Sequence, residues 1–493
     1  MILRLPRLPA GPTGSARRLC GLVASVALLI ALSAPAPAAA MPGPTSLSTG
    51  LVDSPVFQDS TDSVRALWLA RAHQIGARWV RLNVYWSLIA PFTEPQGFQA
   101  SDPGDPSYNW TSLDESVREA AADGENVLML VLAAPTWAQG PGGPASAVTD
   151  GAWEPDPTAL GAFAHAIALR YSGHFPDPLH PGLMLPLVTH FQAWNEPNLP
   201  IYIQPQWIQT STGAILPASP EIYRGLLNAF YSSVKAVQPR SVVLSAGTAP
   251  YGDPPGVGRM APVVFLRELF CLTPSLAAKA CPNPPHLDGL DHHPYAVGPT
   301  VKARQPDDIS VPDLGKINSI VRAAQRVHHV FPAGPKPLWI TELDWSSNPP
   351  NPNAPSLEVQ AQDVALAFYE VWSQDVDHVF WYQLRDPLQF KKSFTGGGLY
   401  FGDGVAKPAA AAFRFPFVAL PVPHNKKSVI LWGRAPVAGT VAIQTRVGSG
   451  WRTVRTLATT AGGIFYAVPR LSPRLELRAR IGAFASLGWV NDG

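Results

Sequence analysis

The sequence predicts an α/β fold, a (β/α)8 TIM barrel followed by a small C-terminal β-sandwich. Three observations lead to this prediction. Apolar runs that end in small or polar residues recur about every 40 to 60 residues as far as Leu384. Helix-like segments separate these runs, and alternation of strands with helices is typical of a parallel sheet. After Phe415 the chain changes to short β-like runs separated by glycine-containing turns.

The predicted barrel strands are apolar and rich in β-branched residues, as strands buried on both faces of a parallel sheet are. Eight strand–helix units in about 370 residues suit a closed barrel with long loops. The alternative is an open, doubly wound sheet, but no glycine-rich phosphate-binding turn follows any run. The predicted strands are Leu47–Val52, Ala77–Trp86, Asn126–Ala134, Leu187–Trp194, Ser241–Gly247, Leu287–Tyr295, Pro337–Glu342 and His378–Leu384.

Several predicted helices open with Ser, Asp or Pro, which satisfy or omit the first free amides of a helix. These helices are Ser63–Ile75, Trp110–Ala122, Pro157–Tyr171, Pro220–Val237, Pro262–Leu269, Pro312–His329 and Leu357–Trp372. Residues 41–415 are therefore assigned to the barrel, residues 416–427 to a connection and residues 428–493 to the β-sandwich. The sandwich either supports the barrel or binds glycans itself.

The N-terminal segment, residues 1–40, has the order of a secretory signal. Four arginines precede the apolar run Cys20–Leu32, and a stretch of small residues follows it and ends at Ala40, where we expect cleavage. The apolar run is shorter than the ~20 residues that a membrane-spanning helix needs, so an uncleaved anchor is the less favoured alternative. We therefore expect a secreted protein without stable membrane insertion.

Two cysteines lie beyond this segment, Cys271 and Cys281, between a predicted helix and the next strand. In an exported chain this spacing favours a local, structural disulfide. Two isolated thiols would make an incomplete metal site.

The composition excludes two classes of protein. Apolar residues make up 46% of the 493 residues and the formal net charge is +2, which is outside the regime of disordered chains. Four of the 37 basic residues lie in the first 40 positions, which carry no acid, so 33 basic residues remain against 35 acidic ones. A net charge near −2 creates no field that attracts phosphate, so we expect no nucleic-acid partner, and we expect a monomer.

Two glutamates end the fourth and the seventh predicted strands. Glu196 lies in the segment FQAWNEPN and Glu342 ends the segment PLWITE. In a barrel, the residues that end the strands face the catalytic side, and strands four and seven can direct both side chains into one cleft. Paired carboxylates across a cleft are the groups that hydrolyse glycosidic bonds, one as the proton donor and the other as the nucleophile or the base.

These two segments resemble a known family. The sequence Ala193–Asn198 (AWNEPN) resembles the acid/base strand of retaining glycoside hydrolases of clan A, most similar to family 39 and more loosely to family 5. The sequence Trp339–Glu342 (WITE) resembles the nucleophile strand of that clan. The resemblance implies that Glu196 is the general acid/base, that Glu342 is the nucleophile and that Asn195 binds the sugar 2-hydroxyl. An ionised Glu342 would raise the pKa of Glu196 by like-charge repulsion.

The resemblance also implies roles for residues on neighbouring strands. His293 would line the sugar subsite and the Tyr295 hydroxyl would contact the nucleophile. Arg81 lies in an apolar run, where an unpaired guanidinium is costly, so it needs a carboxylate partner. The resemblance implies Glu342 as that partner, and another acid is the alternative.

A metal site built on Asp291, His292 and His293 is a rival interpretation of the sixth strand. Metallohydrolases with barrel folds need further ligands on other strands, often a His-x-His on the first, and the sequence shows none. Because neighbouring residues on a strand face opposite sides, His292 is expected to point away from His293. We therefore expect no metal and no cofactor.

Two tryptophans are expected to contact sugar because flat apolar rings match the CH-rich faces of pyranoses. Trp381 ends the eighth strand and Trp137 follows the third. Together these features imply a secreted retaining β-glycoside hydrolase that acts on a β-linked oligosaccharide or polysaccharide. The alternative is a catalytically silent barrel that binds glycans.

Overall fold

The computed structural model of the protein describes residues 41–389, 396–460 and 462–491. The predicted signal, residues 1–40, lies outside the described residues. Among the described helices, none is long and apolar enough to cross a membrane.

Eight parallel strands close into a barrel in which each strand pairs with the next along the chain and the last pairs with the first. The predicted barrel is therefore confirmed. Its strands are β1 Ser48–Val52, β2 Trp79–Tyr85, β3 Asn126–Leu132, β4 His190–Ala193, β5 Val242–Thr248, β6 Gly289–His292, β7 Leu338–Ile340 and β8 His378–Tyr382.

A helix follows every barrel strand, as a (β/α)8 barrel requires. These helices are α1 Asp62–Gln74, α2 Thr111–Ala122, α3 Pro157–Arg170, α4 Ser219–Val237, α5 Pro262–Leu269, α6 Gly315–Arg326, α7 Leu357–Trp372 and α8 Pro408–Arg414. Shorter helical turns occur in the loops at Ser54–Phe57, Trp86–Ile89, Thr136–Ala138, Ala145–Thr149 and Val311–Asp313. A short antiparallel hairpin, Trp207–Gln209 with Ile215–Pro217, lies in the loop after β4.

The barrel interior changes character along its axis. Near the amino ends of the strands it is filled by apolar side chains that include Trp79, Trp339 and Phe380. We call these three residues, with the rings of His190 and His378 that pack on them, the aromatic plug. Gly50 lies against the plug, and a Cβ at that position would meet the Phe380 ring at 2.4 Å.

Polar side chains lie above the plug. Arg81 comes two residues after Trp79, and Thr341 comes two residues after Trp339. Because side chains alternate with a period of two, Arg81 and Thr341 face the barrel interior as the two tryptophans do. Both polar residues are buried. The end of the barrel at the carboxyl ends of the strands therefore has a polar floor directly above the aromatic plug.

Two antiparallel sheets form the predicted C-terminal sandwich. The three-stranded sheet has the order β9-β10-β13, and the four-stranded sheet has the order β12-β11-β14-β15. The strands are β9 Phe417–Val422, β10 Asn425–Arg434, β11 Thr440–Val447, β12 Gly450–Ala458, β13 Ile464–Ala467, β14 Leu477–Ile481 and β15 Phe484–Ala485.

The prediction of a connection at residues 416–427 was wrong, because this segment contains β9. Its prolines made it read as a linker, since proline cannot donate to a sheet. However, β9 is an edge strand, and prolines are tolerated at an edge. The sandwich packs on α7, where Trp372 contacts Trp432 and Tyr466 with ring centroids 5.6 and 5.9 Å apart.

The disulfide between Cys271 and Cys281 is present, with Cα atoms 5.6 Å apart. It lies in the loop from α5 to β6. This loop is at the end of the barrel opposite the carboxyl ends of the strands, so the bond is structural, as predicted.

Candidate active site

The two predicted glutamates meet above the polar floor. Glu196 follows β4 and Glu342 follows β7. One carboxylate oxygen of each, together with a ring nitrogen of His293, lie within 4.8 Å of one another. Two carboxylates with oxygens this near each other are compatible with the ~5–5.5 Å between the carboxyl groups of retaining glycosidases, whereas those of inverting enzymes lie ~6.5–9.5 Å apart.

The backbone around Glu196 is held in an unusual conformation. Trp194 and Glu196 have φ angles of 74° and 32°, in the left-handed region that residues other than glycine seldom adopt. Buried contacts hold this turn in place. The Trp194 indole donates to the Tyr202 carbonyl at 2.8 Å, and the Asn198 amide donates to the Ala249 and Met260 carbonyls. Such backbone strain clusters at active sites.

Glu342 is held as an anion. The Arg81 guanidinium donates to Oε1 of Glu342, and the Tyr295 hydroxyl donates to Oε2 at 2.8 Å. Burial alone would raise the pKa of Glu342, but the charges of Arg81 and His293 and these hydrogen bonds outweigh it and lower the pKa to about 2. The partner that the buried Arg81 needs is therefore Glu342.

The pKa of Glu196 is shifted in the opposite direction, upwards. Burial raises its pKa, and the charge of Glu342 adds to the increase, whereas His293 opposes it. The like-charge repulsion expected from the sequence is present, but burial is the larger cause. One carboxyl group is thus favoured in its protonated form next to one favoured as the anion, which is how environment divides acid and nucleophile roles.

His293 bridges the two glutamates from below. Its Nδ1 lies 3.0 Å from Glu196 Oε1 and 3.8 Å from Glu342 Oε1, and its Nε2 lies 3.2 Å from Asp291 Oδ2. Burial would lower the pKa of His293, but the charges of Glu342 and Asp291 raise it to about 10. The ring is therefore an imidazolium that donates from both nitrogens.

Asp291 is a residue that the sequence analysis placed only in the rival metal site. It is buried and accepts hydrogen bonds from the Gln192 amide, the Thr341 hydroxyl and the Thr341 and His292 backbone amides. These bonds fix it beneath His293. The signal in the sequence was an acid in the predicted sixth strand, next to two histidines.

Asn195 lies between the two strained residues and is buried. Its Oδ1 has no hydrogen-bond partner among the described residues. Because an unpaired buried acceptor is costly, this atom has a free position for a ligand hydroxyl.

Three further tyrosines lie within the electrostatic reach of Glu342. Burial raises the pKa of Tyr85, Tyr202 and Tyr382, and the negative charge of Glu342 adds to each shift, so all three side chains lie within its field. Tyr85 is 41% exposed at the mouth of the site. None of these three residues was predicted from the sequence, although Tyr85 and Tyr382 each lie at a strand end.

The prediction that Trp381 contacts sugar is not supported, because the side chain is fully buried (0% exposed). It lies between barrel and helices, and its indole donates to the Gly397 carbonyl at 2.7 Å. Side-chain alternation along β8 puts Phe380 and Tyr382 inside the barrel and Trp381 outside. Trp137 is half-buried. Its indole donates to the Pro91 carbonyl and its ring packs on Trp86 and Phe98, so its described contacts do not include the carboxylate of Glu196 or that of Glu342.

A cavity of about 420 Å³ borders the ends of β1 and β8. Asp53 and Gln383 line it, and both are buried. Burial raises the pKa of Asp53 to about 7. Gln383 Oε1 has no hydrogen-bond partner among the described residues. Both side chains offer buried polar atoms to a ligand, and the sequence analysis identified neither.

By distance, Glu196, His293 and Glu342 could hold a metal ion. Their chemistry does not fit one, because a protonated imidazole is not a ligand and because Arg81 and Tyr295 already bind the Glu342 oxygens. The site predicted as the alternative is not assembled either. His292 points away and bonds the Thr248 hydroxyl and the Ile309 carbonyl.

Comparison with known proteins gives a likeness of fold. No protein-family model and no curated protein sequence matches the chain. A family 39 glycoside hydrolase from Bacteroides cellulosilyticus superposes with a TM-score of 0.51 at 17% identity, covering 87% of this chain and 81% of that one. A glucosidase from Croceicoccus marinus gives 0.48 at 14% identity, with 85% and 82% covered. An endoxylanase of family 30 from Clostridium papyrosolvens gives 0.44 at 12% identity, with 87% and 94% covered.

Structural neighbours of this chain are thus glycoside hydrolases of families 39, 5 and 30. The likeness to the family 39 enzyme agrees with the barrel fold that the sequence predicted. At these identities the likeness concerns the fold, and the chemistry has to be argued from the site.

Proposed function

We propose that the protein is a retaining glycoside hydrolase in which Glu342 is the nucleophile and Glu196 is the general acid/base. The observation that carries this proposal is the pair of carboxylates within 4.8 Å whose pKa values are shifted in opposite directions. A binding protein has no need of such a pair.

In the first half-reaction, a Glu342 oxygen attacks the anomeric carbon while Glu196 gives its proton to the departing glycosidic oxygen. The bond between the anomeric carbon and the leaving oxygen breaks, and an ester to Glu342 forms. Tyr295 and Arg81 hold the attacking carboxylate in place, and Asn195 Oδ1 is placed to accept a hydrogen bond from a sugar hydroxyl.

In the second half-reaction, Glu196 must act as a base. Esterification removes the negative charge of Glu342, which is one of the causes that raise the pKa of Glu196. The positive charge of His293 remains 3.0 Å from Glu196 and favours its anion. Glu196 then takes a proton from water, the resulting hydroxide attacks the anomeric carbon, and Glu342 leaves as a carboxylate.

The substrate class belongs to the same proposal. Resemblance to clan A supports a β-linked oligosaccharide or polysaccharide, and the tyrosine-walled site with Asp53 and Gln383 nearby provides polar groups for several hydroxyls. The disulfide supports export, because such bonds persist in oxidising compartments. Export would agree with the signal predicted at the N-terminus.

The test is hydrolysis of a panel of aryl β-glycosides and β-glycans by variants of the two glutamates. Glu342→Gln should abolish turnover while circular dichroism and the melting temperature show an intact fold. Glu196→Ala should lower the rate by about 10²–10⁴-fold with poor leaving groups and much less with dinitrophenyl glycosides, because only poor leaving groups need the proton. Azide should partly restore the rate and yield a glycosyl azide of retained configuration.

Glu125→Gln is the matched control, because Glu125 is a buried glutamate just before β3, at the opposite end of the barrel. It should leave activity unchanged. Normal turnover by either active-site variant would refute the proposal, and so would a wild-type protein that binds these glycans and cleaves none.

A further inference from the structure

A cleft of about 660 Å³ opens beside the candidate catalytic pair, between the loops that follow β5 and β6. Tyr295 lines it, and the hydroxyl of this residue is the donor to Glu342. The cleft therefore shares one wall residue with the candidate catalytic pair, and it is the neighbouring space into which a substrate larger than one sugar would extend.

The walls of this cleft are basic. Arg259, Lys302 and Arg304 line it, whereas Asp308 is the acid that lines it. Asp308 is already engaged, because its Oδ1 accepts a hydrogen bond from the Gly252 amide at 2.9 Å. Arg259 is paired with Asp253, through Nη2 to Oδ1 at 2.7 Å.

Lys302 and Arg304 are the unpaired charges of the cleft. Both are exposed, and neither makes a hydrogen bond or an ion pair with any residue in the described parts of the chain. This local excess of positive charge contrasts with the 33 basic and 35 acidic residues of positions 41–493. The cleft is therefore more positively charged than positions 41–493 as a whole.

The loop that carries these two residues is anchored on both sides. The Ala303 amide donates to Asp313 Oδ2 at 2.8 Å, and the Ser310 hydroxyl donates to the Val301 carbonyl at 2.8 Å. Further back, the Trp345 indole donates to the Ala296 carbonyl at 2.9 Å. Backbone fixed in this way holds Lys302 and Arg304 at the cleft.

We propose that the basic cleft binds an anionic group, a carboxylate or a sulfate, on a saccharide unit next to the bond that is cleaved. Lys302 and Arg304 would form charge-assisted hydrogen bonds to that group, which are stronger than neutral ones. The exposed side chains of Val297 and Val301 offer apolar contact to the CH faces of the same unit. The substrate of this site would then be an acidic glycan.

This inference rests on the proposed function for its position next to the cleaved bond, but its test does not need turnover. The Glu342→Gln protein serves as a scaffold that cannot hydrolyse the probes. Its affinity is measured by gel electrophoresis in polygalacturonate, which carries carboxylates, in dextran sulfate, and in the neutral glucan laminarin. Each measurement is repeated at low and at physiological salt.

The decisive variant adds Lys302→Gln and Arg304→Gln to this scaffold. It should bind the preferred anionic polymer about 10-fold more weakly, as loss of two charge-assisted contacts predicts. The matched control adds Arg322→Gln and Arg326→Gln, which remove two exposed charges from α6 outside the cleft. The control should change affinity by less than about 2-fold, because no contact in the cleft is lost.

Preference for polygalacturonate would identify a carboxylate as the ligand group, and preference for dextran sulfate would identify a sulfate. Equal losses in the decisive and control variants would overturn the proposal, because they would indicate attraction to net charge alone. Equal binding of laminarin and the anionic polymers would overturn it as well. Specific binding without hydrolysis by the wild-type protein would instead contradict the proposed function and leave this inference standing.

Discussion

Two histidines lie inside the same barrel, at its opposite ends, and their pKa values move in opposite directions. His190 belongs to the aromatic plug, with its ring centroid 4.6 Å from that of Trp79, and burial lowers its pKa to about 4. His293 is more deeply buried, yet the charges of Glu342 and Asp291 overcome burial and raise its pKa to about 10. Burial opposes the charged ring at both ends, so nearby anions decide which end carries charge.

The two histidines therefore affect stability on opposite sides of neutrality. His190 has a lower pKa in the folded chain than the ordinary 6.5, so the unfolded chain binds the proton first and stability falls as the pH drops from 6.5 to 4. His293 has a higher pKa in the folded chain. Its contribution is complete below pH 6.5 and is lost as the pH rises through 10.

Replacement of Arg81, at the charged end of the barrel, should have the largest effect on activity and stability. Arg81→Met keeps apolar volume but removes the guanidinium that donates to Glu342, so that His293 is left as the buried cation facing both Glu342 and Asp291. We expect kcat/KM to fall on the order of 100-fold or more and the free energy of unfolding to fall by ~3–5 kcal/mol. Steady-state kinetics and denaturant titration measure the two effects.

The matched change at the other end is Trp339→Ala, which opens a cavity in the aromatic plug. It should cost a similar ~3–5 kcal/mol of stability without moving the pH dependence of kcat/KM. A shift in the pH dependence of kcat/KM in Trp339→Ala would contradict the view that the two ends of the barrel act independently. Unchanged activity and unchanged pH dependence in Arg81→Met would contradict it as well.

Replacement of Asp291 should have an intermediate effect, on pH dependence more than on rate. In Asp291→Asn the pKa of His293 falls, so His293 becomes neutral at lower pH and no longer favours the Glu196 anion. The pKa of Glu196 then rises, and the alkaline limb of the kcat/KM profile should move up by about one pH unit.

Asp288→Asn provides the control for this prediction. Asp288 lies three residues earlier, at the amino end of β6, where it pairs with Lys235 at 2.7 Å. That variant should keep the wild-type profile. A profile in Asp291→Asn that moves down or stays in place would show that Asp291 does not act through His293.

The smallest effect is expected from His190→Phe, which fills the plug with a ring that cannot be protonated. The decrease in melting temperature between pH 7 and pH 4 should become shallower, while the alkaline side stays unchanged. Differential scanning calorimetry across pH 4 to 10 measures both slopes. If the melting temperature fell just as steeply between pH 7 and pH 4 in this variant, protonation of His190 would not be the cause of that decrease.

The sequence predicted those features that depend on local pattern. Periodic apolar runs predicted the barrel, and acids at strand ends predicted that Glu196 and Glu342 would meet. The need of a buried guanidinium for an anion, combined with the family resemblance, predicted the contact of Arg81 with Glu342. The inference about the two glutamates needs only the ends of strands and not the direction of each side chain.

The features that failed depend on register and on three-dimensional context. Trp381 and Tyr382 are neighbours in an apolar run, and a shift of one residue exchanges which of them faces the site. Asp291 entered the sequence analysis only through the rival metal site, because its partners Gln192 and Thr341 come from other strands and a single strand does not show them. Strand β9 was missed because its edge position, which permits prolines, is a property of the assembled sheet.

The central claim is that Glu342 forms a covalent bond to the sugar while Glu196 transfers the proton. Its most direct test is incubation with 2-deoxy-2-fluoro glycosides that carry a good leaving group, since these slow the second half-reaction more than the first. Mass spectrometry should show one added fluorosugar per chain, located on the peptide that contains Glu342, and the adduct should be absent in Glu342→Gln. Turnover of the parent glycosides with no adduct, or an adduct on any other residue, would contradict the account.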